Sequence, residues 1–409
     1  MLENQPYTKI NIEDIRHGFS KEYYKTYFSN KDKGSLLTDF TGAFLLNQDQ
    51  KTHLINYIKN KGVSLTPTSL TTYFKVPFIY YIEKVLGLDT FKKSINLYLG
   101  DFFHILIEVL MVLKYEEKTI RNSDFSNDKE LNEAIINYII KKDMDGFTYE
   151  DYFEDFFEVY FKKEIQFIVN LKNKNINELD ETEKLLIKMQ FYIHKNKSYI
   201  TRALERLIDL EDNISSKELY LEKEVIINEF NGRADLVKVY PDNSFSIIDY
   251  KTSSKDAFHY DKIIEIFKAL LSENKEEEIS LSALNLLQLI FYAYFIKKEN
   301  SNLKLKDLAF YSYFEENLKL NALSTSELDK VYYTTGKDRM ISLEQLDKLY
   351  ELIEKLLEQT KNDIFNADFP ITVRKDTNQK EDLEETIYSI YEALAYFNTN
   401  EERDDENED

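Results

Sequence analysis

The sequence predicts an α/β protein in which a mixed β-sheet is flanked by helices, and three observations support this class. Two runs with alternating apolar and polar side chains, residues 234–240 and 245–252, are separated by four turn-forming residues. Residues 280–298 are apolar around nearly the whole circumference of a helix, as in a buried helix. Residues 307–314 alternate like a further strand, and this succession of helices and strands is typical of a sheet covered by helices.

The turn between the two alternating runs sets their register. Pro241 favours the first corner of a type I turn, and Asn243 tolerates the left-handed conformation that closes a three-residue loop. Such a loop pairs Tyr240 with Ser244. The sequence therefore predicts a hairpin with a defined pairing of residues along both strands.

The predicted register places two carboxylates opposite each other. Five residues outward from the loop, Asp235 faces Asp249, and Lys251 shares their face because side chains alternate along a strand. Directly opposed like charges destabilise a sheet, whereas a divalent cation such as Mg²⁺ or Mn²⁺ takes carboxylate oxygens as ligands. Two interpretations remain open at this point: a metal site with a lysine beside it, and a solvent-facing hairpin whose charges only aid solubility.

Two predicted helices carry polar side chains on otherwise apolar surfaces. In residues 97–113, His104 and Glu108 lie four residues apart and hence on one helix face, as do Gln288 and Tyr292 in the later buried helix. A lone histidine on such a helix is more often a core residue than a ligand. A buried polar group left without a partner costs about 1–3 kcal/mol, so these pairs predict shared polar partners.

Composition restricts the possible chemistry. The 409 residues include no cysteine, which excludes disulfides, thiolate nucleophiles, cysteine-bound zinc and iron–sulfur clusters. The net charge of −21 argues against a broadly basic nucleic-acid surface but permits a locally basic groove. We predict no signal peptide and no membrane span, because residues 284–296 are too short for one, and hence a cytoplasmic protein.

The sequence also suggests a domain organisation. We predict a helical extension over residues 1–64, a main domain over 65–400 and an acidic, disordered tail over 401–409. Within the main domain, residues 115–220 read as a large helical insertion without catalytic signal, with helices over 149–171 and 181–210. Residues 253–278 read mainly as a solvated surface, although their lysines are also compatible with a phosphate-binding entrance.

Five blocks in order resemble the PD-(D/E)XK nuclease superfamily, and most closely the nuclease domain of AddB-type and RecB-type helicase–nucleases. They are Ser69 to Phe78 with Val85-Leu86-Gly87-Leu88; Gly100, His104 and Glu108; Gly232-Arg233-Ala234-Asp235; Ile248-Asp249-Tyr250-Lys251-Thr252; and Gln288 with Tyr292. The last segment, with Phe369-Pro370, resembles the C-terminal part of that domain. The resemblance covers residues 65–372 and implies a restriction-endonuclease-like mixed sheet flanked by helices.

The resemblance implies metal-dependent phosphodiester hydrolysis of DNA. His104, Asp235, Asp249 and the backbone carbonyl of Tyr250 would hold Mg²⁺ or Mn²⁺, while Glu108 would support His104. Lys251 would orient or activate the attacking water. Gln288 and Tyr292 would position the active-site strand or the DNA backbone.

The sequence departs from this family in two respects. Many relatives carry a four-cysteine iron–sulfur cluster that fastens the C-terminal segment, whereas here Val76 stands at the first cysteine position, so apolar packing is expected to replace the cluster. No phosphate-binding loop of a helicase motor is present, so a helicase would be a separate subunit. Three hypotheses follow: an exonuclease acting on single strands or strand ends in repair or recombination, an inactive DNA-binding or scaffolding subunit, and an acidic mimic of nucleic acid.

Overall fold

Seven strands form one mixed sheet in the part of the chain that the computed structural model describes. The structure describes residues 48–61, 65–75, 77–87, 95–162, 181–251, 259–272, 284–313, 318–334, 336 and 339–369. The strands lie in the order β1 to β7, and the pairs β1–β2, β4–β5 and β6–β7 are parallel while the others are antiparallel. Their bounds are β1 (Thr119–Ile120), β2 (Glu218–Ile227), β3 (Phe230–Val239), β4 (Ser244–Lys251), β5 (Lys304–Ser312), β6 (Leu320–Ser324) and β7 (Tyr333–Thr334).

Helices pack on both faces of this sheet. They are α1 (Gln48–Lys61), α2 (Pro67–Lys75), α3 (Pro77–Tyr80), α4 (Ile95–Tyr115), α5 (Lys129–Lys141), α6 (Tyr149–Tyr160), α7 (Glu181–Lys195), α8 (Lys197–Asn213), α9 (Tyr260–Leu271), α10 (Leu284–Glu299) and α11 (Leu343–Phe365). Successive strand residues point to opposite faces of the sheet and pack into two separate cores. In β3, for example, Val237 lies in one core and Leu236 in the other. One core includes α1, α2, α9, α10 and α11, and the other includes α4, α6, α7 and α8.

The predicted α/β class with a helix-flanked mixed sheet is confirmed. Residues 97–113 lie within α4, and α10 lies in the segment expected to form a buried helix. Pro77 separates α2 from α3, because proline cannot donate a backbone hydrogen bond inside a helix. None of the helices in the described ranges is long and apolar enough to cross a membrane.

Three expectations about local structure were wrong. Within residues 253–278, the described part is not mainly a solvated surface, since α9 buries apolar side chains such as Ile263 and Phe267 on one face. The helix expected over 181–210 is interrupted at Asn196 and forms α7 and α8. The 115–220 region is also not purely helical, because β1 pairs with β2 and extends the sheet.

Aromatic packing fastens the segment after α11 to residues near the end of α3, in line with the apolar packing expected in place of a cluster. Phe369 is fully buried and stacks on Tyr80 and Tyr81, with ring centroids 6.2 and 5.1 Å apart. Tyr73 adds a hydrogen bond of 3.2 Å from its hydroxyl to Asp363 Oδ2. We call this group of side chains the aromatic clasp.

Some sequence expectations concern residues outside the described ranges. These are the first 47 residues, Val76, Thr252, Lys255, Pro370 and the acidic tail. The domain boundaries stay predictions. Within the described part of the predicted extension, Leu54 and Ile58 of α1 are buried in the core that contains α10.

Candidate metal centre

The hairpin between β3 and β4 has the register that its turn residues predict. Asn243 adopts a positive φ of 62°, and the backbone N–H of Tyr240 donates to the carbonyl of Ser244 at 2.8 Å. Regular pairing then runs outward as far as Leu236 and Ile248. The next residues along the two strands are therefore the predicted acidic pair.

Asp235 and Asp249 follow directly on the last regular pair of β3 with β4, and the charge of Asp249 acts on Asp235. Instead of a backbone bond, Asp235 Oδ2 accepts a hydrogen bond of 2.8 Å from the backbone N–H of Tyr250. Both residues are buried, with Asp235 8% and Asp249 1% exposed. Both carboxylates therefore have little access to water.

A third acid, Glu222 of β2, joins this group and was missed by the sequence interpretation. The register of β2 with β3 puts Glu222 level with Asp235, but these two residues are not paired. The backbone of Glu222 has a φ of 49°, which is unusual for a residue other than glycine. A signal was available, because counting outward from the turn at Asn228 and Glu229 places Glu222 level with Asp235. Its Oε2 forms an ion pair with Arg233 Nε.

His104 of α4 approaches two of these acids. Its Nε2 lies 3.6 Å from Asp235 Oδ2 and its Nδ1 lies 3.7 Å from Glu222 Oε1. Burial opposes protonation of His104, but the charges of Asp235 and Glu222 outweigh burial and raise its pKa to about 9. Burial, opposed by the charge on His104 and reinforced by Asp249 and Glu222, raises the pKa of Asp235 to about 7.

The three side chains fit a divalent cation. One ligand atom each from His104, Glu222 and Asp235 lie within 4.8 Å of one another. With metal–ligand bonds of about 2.1 Å, opposite ligand atoms of an octahedral ion are about 4.2 Å apart. Small shifts of the three side chains would therefore let all three bind the same ion. Without a cation, the raised pKa values mean that His104 and Asp235 bind protons readily; a bound cation would displace these protons.

Lys251 lies beside this cluster and is paired with Asp249. Its Nζ is 2.5 Å from Asp249 Oδ2, and its side chain is 21% exposed. Burial lowers the pKa of Lys251, but Asp249 and Asp235 outweigh burial and raise it, so Lys251 is a cation. Asp249 is not among the three closest ligand groups, so its role as a ligand stays a prediction.

Gln288 and Tyr292 of α10 contact each other and β3. Gln288 Nε2 donates to the Tyr292 hydroxyl at 3.2 Å. A Cβ atom placed on Gly232 would lie 2.7 Å from Tyr292 Cε1, so the tyrosine ring packs where only glycine leaves room. This contact, three residues before Asp235, fits the predicted role of positioning the strand.

Glu108 is paired with Arg121, and its predicted support of His104 stays a prediction. Its Oε2 accepts a hydrogen bond of 2.8 Å from Arg121 Nε, and the two residues form an ion pair. His104 faces Glu222 and Asp235, and its charge also acts on Glu108 and lowers the pKa of that carboxyl. Burial, together with the charge of Glu222 and against the pull of Arg121, raises the pKa of Glu108 to about 8.

The fold and the site define a restriction-endonuclease-like α/β protein with an acidic, histidine-containing centre on its central strands. The family model of the PD-(D/E)XK nuclease superfamily matches residues 64–376, which is most of the chain. The chain therefore belongs to this superfamily of nucleases, whose members typically depend on divalent metal ions. The comparison with curated proteins gives no match.

Proposed function

We propose that this protein is a metal-dependent DNA exonuclease or end-processing nuclease that hydrolyses phosphodiester bonds. The observation that carries the proposal is the cluster of His104, Glu222 and Asp235 with Lys251 close by. Membership of a nuclease superfamily supports the same chemistry. Buried acids that repel one another are difficult to explain as structural elements alone.

The proposed cofactor is Mg²⁺ or Mn²⁺. His104, Glu222 and Asp235 would hold it, and Asp249 and the carbonyl of Tyr250 are further proposed ligands. When bound, such an ion neutralises charge that develops on phosphoryl oxygens and lowers the pKa of a bound water. The protein side chains would determine where the ion binds relative to the DNA phosphate.

Lys251 is proposed to orient the attacking water or to hold a phosphate oxygen. Lys251 lies on β4, two residues after Asp249. Its ammonium group is close to the Asp249 carboxylate, and its side chain is partly exposed. Gln288 and Tyr292 would act indirectly, because their contacts hold β3 at Gly232.

Lys251→Ala tests the proposal directly. We expect near-normal folding and a loss of Mg²⁺-dependent degradation of end-labelled DNA by several orders of magnitude. Lys304→Ala is a matched control, because Lys304 is an exposed lysine of β5 that pairs with Ser244 at the far end of β4. Wild-type turnover by Lys251→Ala would refute the role assigned to this lysine.

The finer assignments rest on the sequence resemblance to AddB-type and RecB-type domains. They are an exonucleolytic mode, a role in repair or recombination, cooperation with a separate helicase subunit and a cytoplasmic location. The exonucleolytic mode can be tested by comparing linear with circular single-stranded DNA, since an exonuclease degrades only the linear form. Degradation of both forms at equal rates would contradict it.

An inactive DNA-binding or scaffolding subunit is the alternative function. The net charge of −21 favours it over a nuclease with a broad basic surface. Asp249→Ala distinguishes the two, because a nuclease loses cleavage and a scaffold has none to lose. Equal residual cleavage by wild type and Asp249→Ala would reject the enzymatic proposal at this site.

A further inference from the structure

A cavity of about 410 Å³ lies directly beside the metal centre. His104 and Glu222 form part of its lining, and Arg233 lines it as well. Its volume falls within the range of about 300–1,000 Å³ that is usual for small-molecule sites. The cavity therefore offers room for one chemical group next to the proposed reaction site.

The lining suits a base and sugar better than a second phosphate. Phe125 and Tyr160 supply aromatic surface, and Asn127 supplies an amide that both donates and accepts hydrogen bonds. Asp124 and Asp128 also line the cavity and would repel a phosphate. Aromatic rings in such grooves stack on bases of any sequence.

Arg121 holds the outer wall of the cavity in place. It binds Glu108 of α4, donates to the carbonyls of Ser123 and Asp124, and lies 3.9 Å above the ring of Phe125. Because its guanidinium is occupied by these contacts, it acts as a structural support and not as a phosphate ligand. The wall belongs to the region that the sequence interpretation regarded as free of functional signal.

Arg233 is suited to bind a backbone phosphate next to a nucleoside in the cavity. Its side chain is 56% exposed, lines the cavity and pairs with Glu222 through Nε. Arginine can use its remaining N–H groups to bind a phosphate in a bidentate manner. It would thus connect the cavity to the metal centre.

We propose that this cavity binds the nucleoside next to the scissile phosphate, with Arg233 contacting the adjoining backbone phosphate. This inference rests on the proposed nuclease function. It assigns substrate positioning to the segment from Arg121 to Asp128, and it makes Phe125 and Asn127 part of the substrate site.

The test blocks or strips the cavity and compares two substrates. Asn127→Trp fills it, Phe125→Leu removes a ring, and Asn122→Trp is the matched control because Asn122 is exposed in the same segment outside the lining. Each variant is assayed on a single-stranded oligonucleotide and on bis(p-nitrophenyl) phosphate, which lacks a nucleoside. Thymidine 5′-monophosphate is added as an inhibitor, and the Mn²⁺-induced rise in Tm reports folding and metal binding.

In the two cavity variants we expect oligonucleotide cleavage relative to small-diester cleavage to fall about tenfold or more, as loss of one stacked base implies. Inhibition by thymidine 5′-monophosphate should weaken in parallel, and Asn122→Trp should behave as wild type. Wild-type ratios in both Asn127→Trp and Phe125→Leu, with the Tm rise intact, would overturn the inference alone. A wild type that hydrolyses neither substrate would overturn the proposed function and the inference with it.

Discussion

Asp235→Asn should make the metal-free protein more stable and the metal-bound protein less stable than wild type. Burial and neighbouring acids raise the pKa of Asp235 from 3.8 to about 7, so its ionised form is unfavourable in the fold above that pH. At about 1.4 kcal/mol per pKa unit, removal of the charge is worth at most about 4 kcal/mol. Loss of the attraction to His104 and an altered bond to Tyr250 reduce the expected gain to about 1–3 kcal/mol.

Thermal unfolding at a pH of about 8.5, above the raised pKa of Asp235, measures both effects. In EDTA, Asp235→Asn should melt a few degrees above wild type, or roughly 1–4 °C. In Mn²⁺ at about 1,000 times its Kd, wild type should gain about 4.1 kcal/mol, whereas the variant should lose most of this gain. The order of the two melting temperatures should therefore reverse when the metal is added.

Asp307→Asn is the matched control for this experiment. Asp307 of β5 is also fully buried, and burial raises its pKa to about 6, but it accepts a hydrogen bond of 2.5 Å from Ser246 Oγ instead of facing His104. Its metal-induced shift should equal that of wild type. A lower metal-free Tm for Asp235→Asn, or an unchanged metal-induced shift, would refute the placement of Asp235 in the metal centre.

Three further predictions concern stability. Gly232→Ala should cost about 1–3 kcal/mol in urea unfolding, because its Cβ would lie 2.7 Å from Tyr292 Cε1; an unchanged midpoint would contradict this contact. The metal-free protein should lose stability as pH rises from about 6.5 through about 9, since the fold raises the pKa of His104, and His104→Gln should flatten this part of the pH profile. Phe369→Ala should cost about 3–5 kcal/mol by opening the aromatic clasp, and a loss below about 1 kcal/mol would show that the clasp is not needed.

The site was predictable from the sequence where local chemistry sets the geometry. Pro241 and Asn243 specify a three-residue loop, and the loop specifies which residues of the two strands face each other. Asp235 and Asp249 could therefore be paired without knowledge of the rest of the fold. The same holds for Gln288 and Tyr292, whose spacing places them on one helix face.

Glu222 and Arg121 owe their places in the site to contacts that are distant in sequence. Glu222 belongs to a strand with several charges, and its partners are Arg233 and His104. Arg121 reaches the site because β1 pairs with β2, about a hundred residues further along the chain. The hairpin count from Asn228 could have placed Glu222 level with Asp235, but no periodic pattern in the sequence marks its contact with His104 or the approach of Arg121.

The aromatic clasp has a consequence for the conditions in which the protein can keep its shape. A joint made from the rings of Phe369, Tyr80 and Tyr81 contains no iron and no thiolate, so oxygen, oxidants and iron starvation do not act on it directly. Its strength should instead follow temperature and denaturant, as burial of apolar surface does. Assembly of this joint needs only the polypeptide itself.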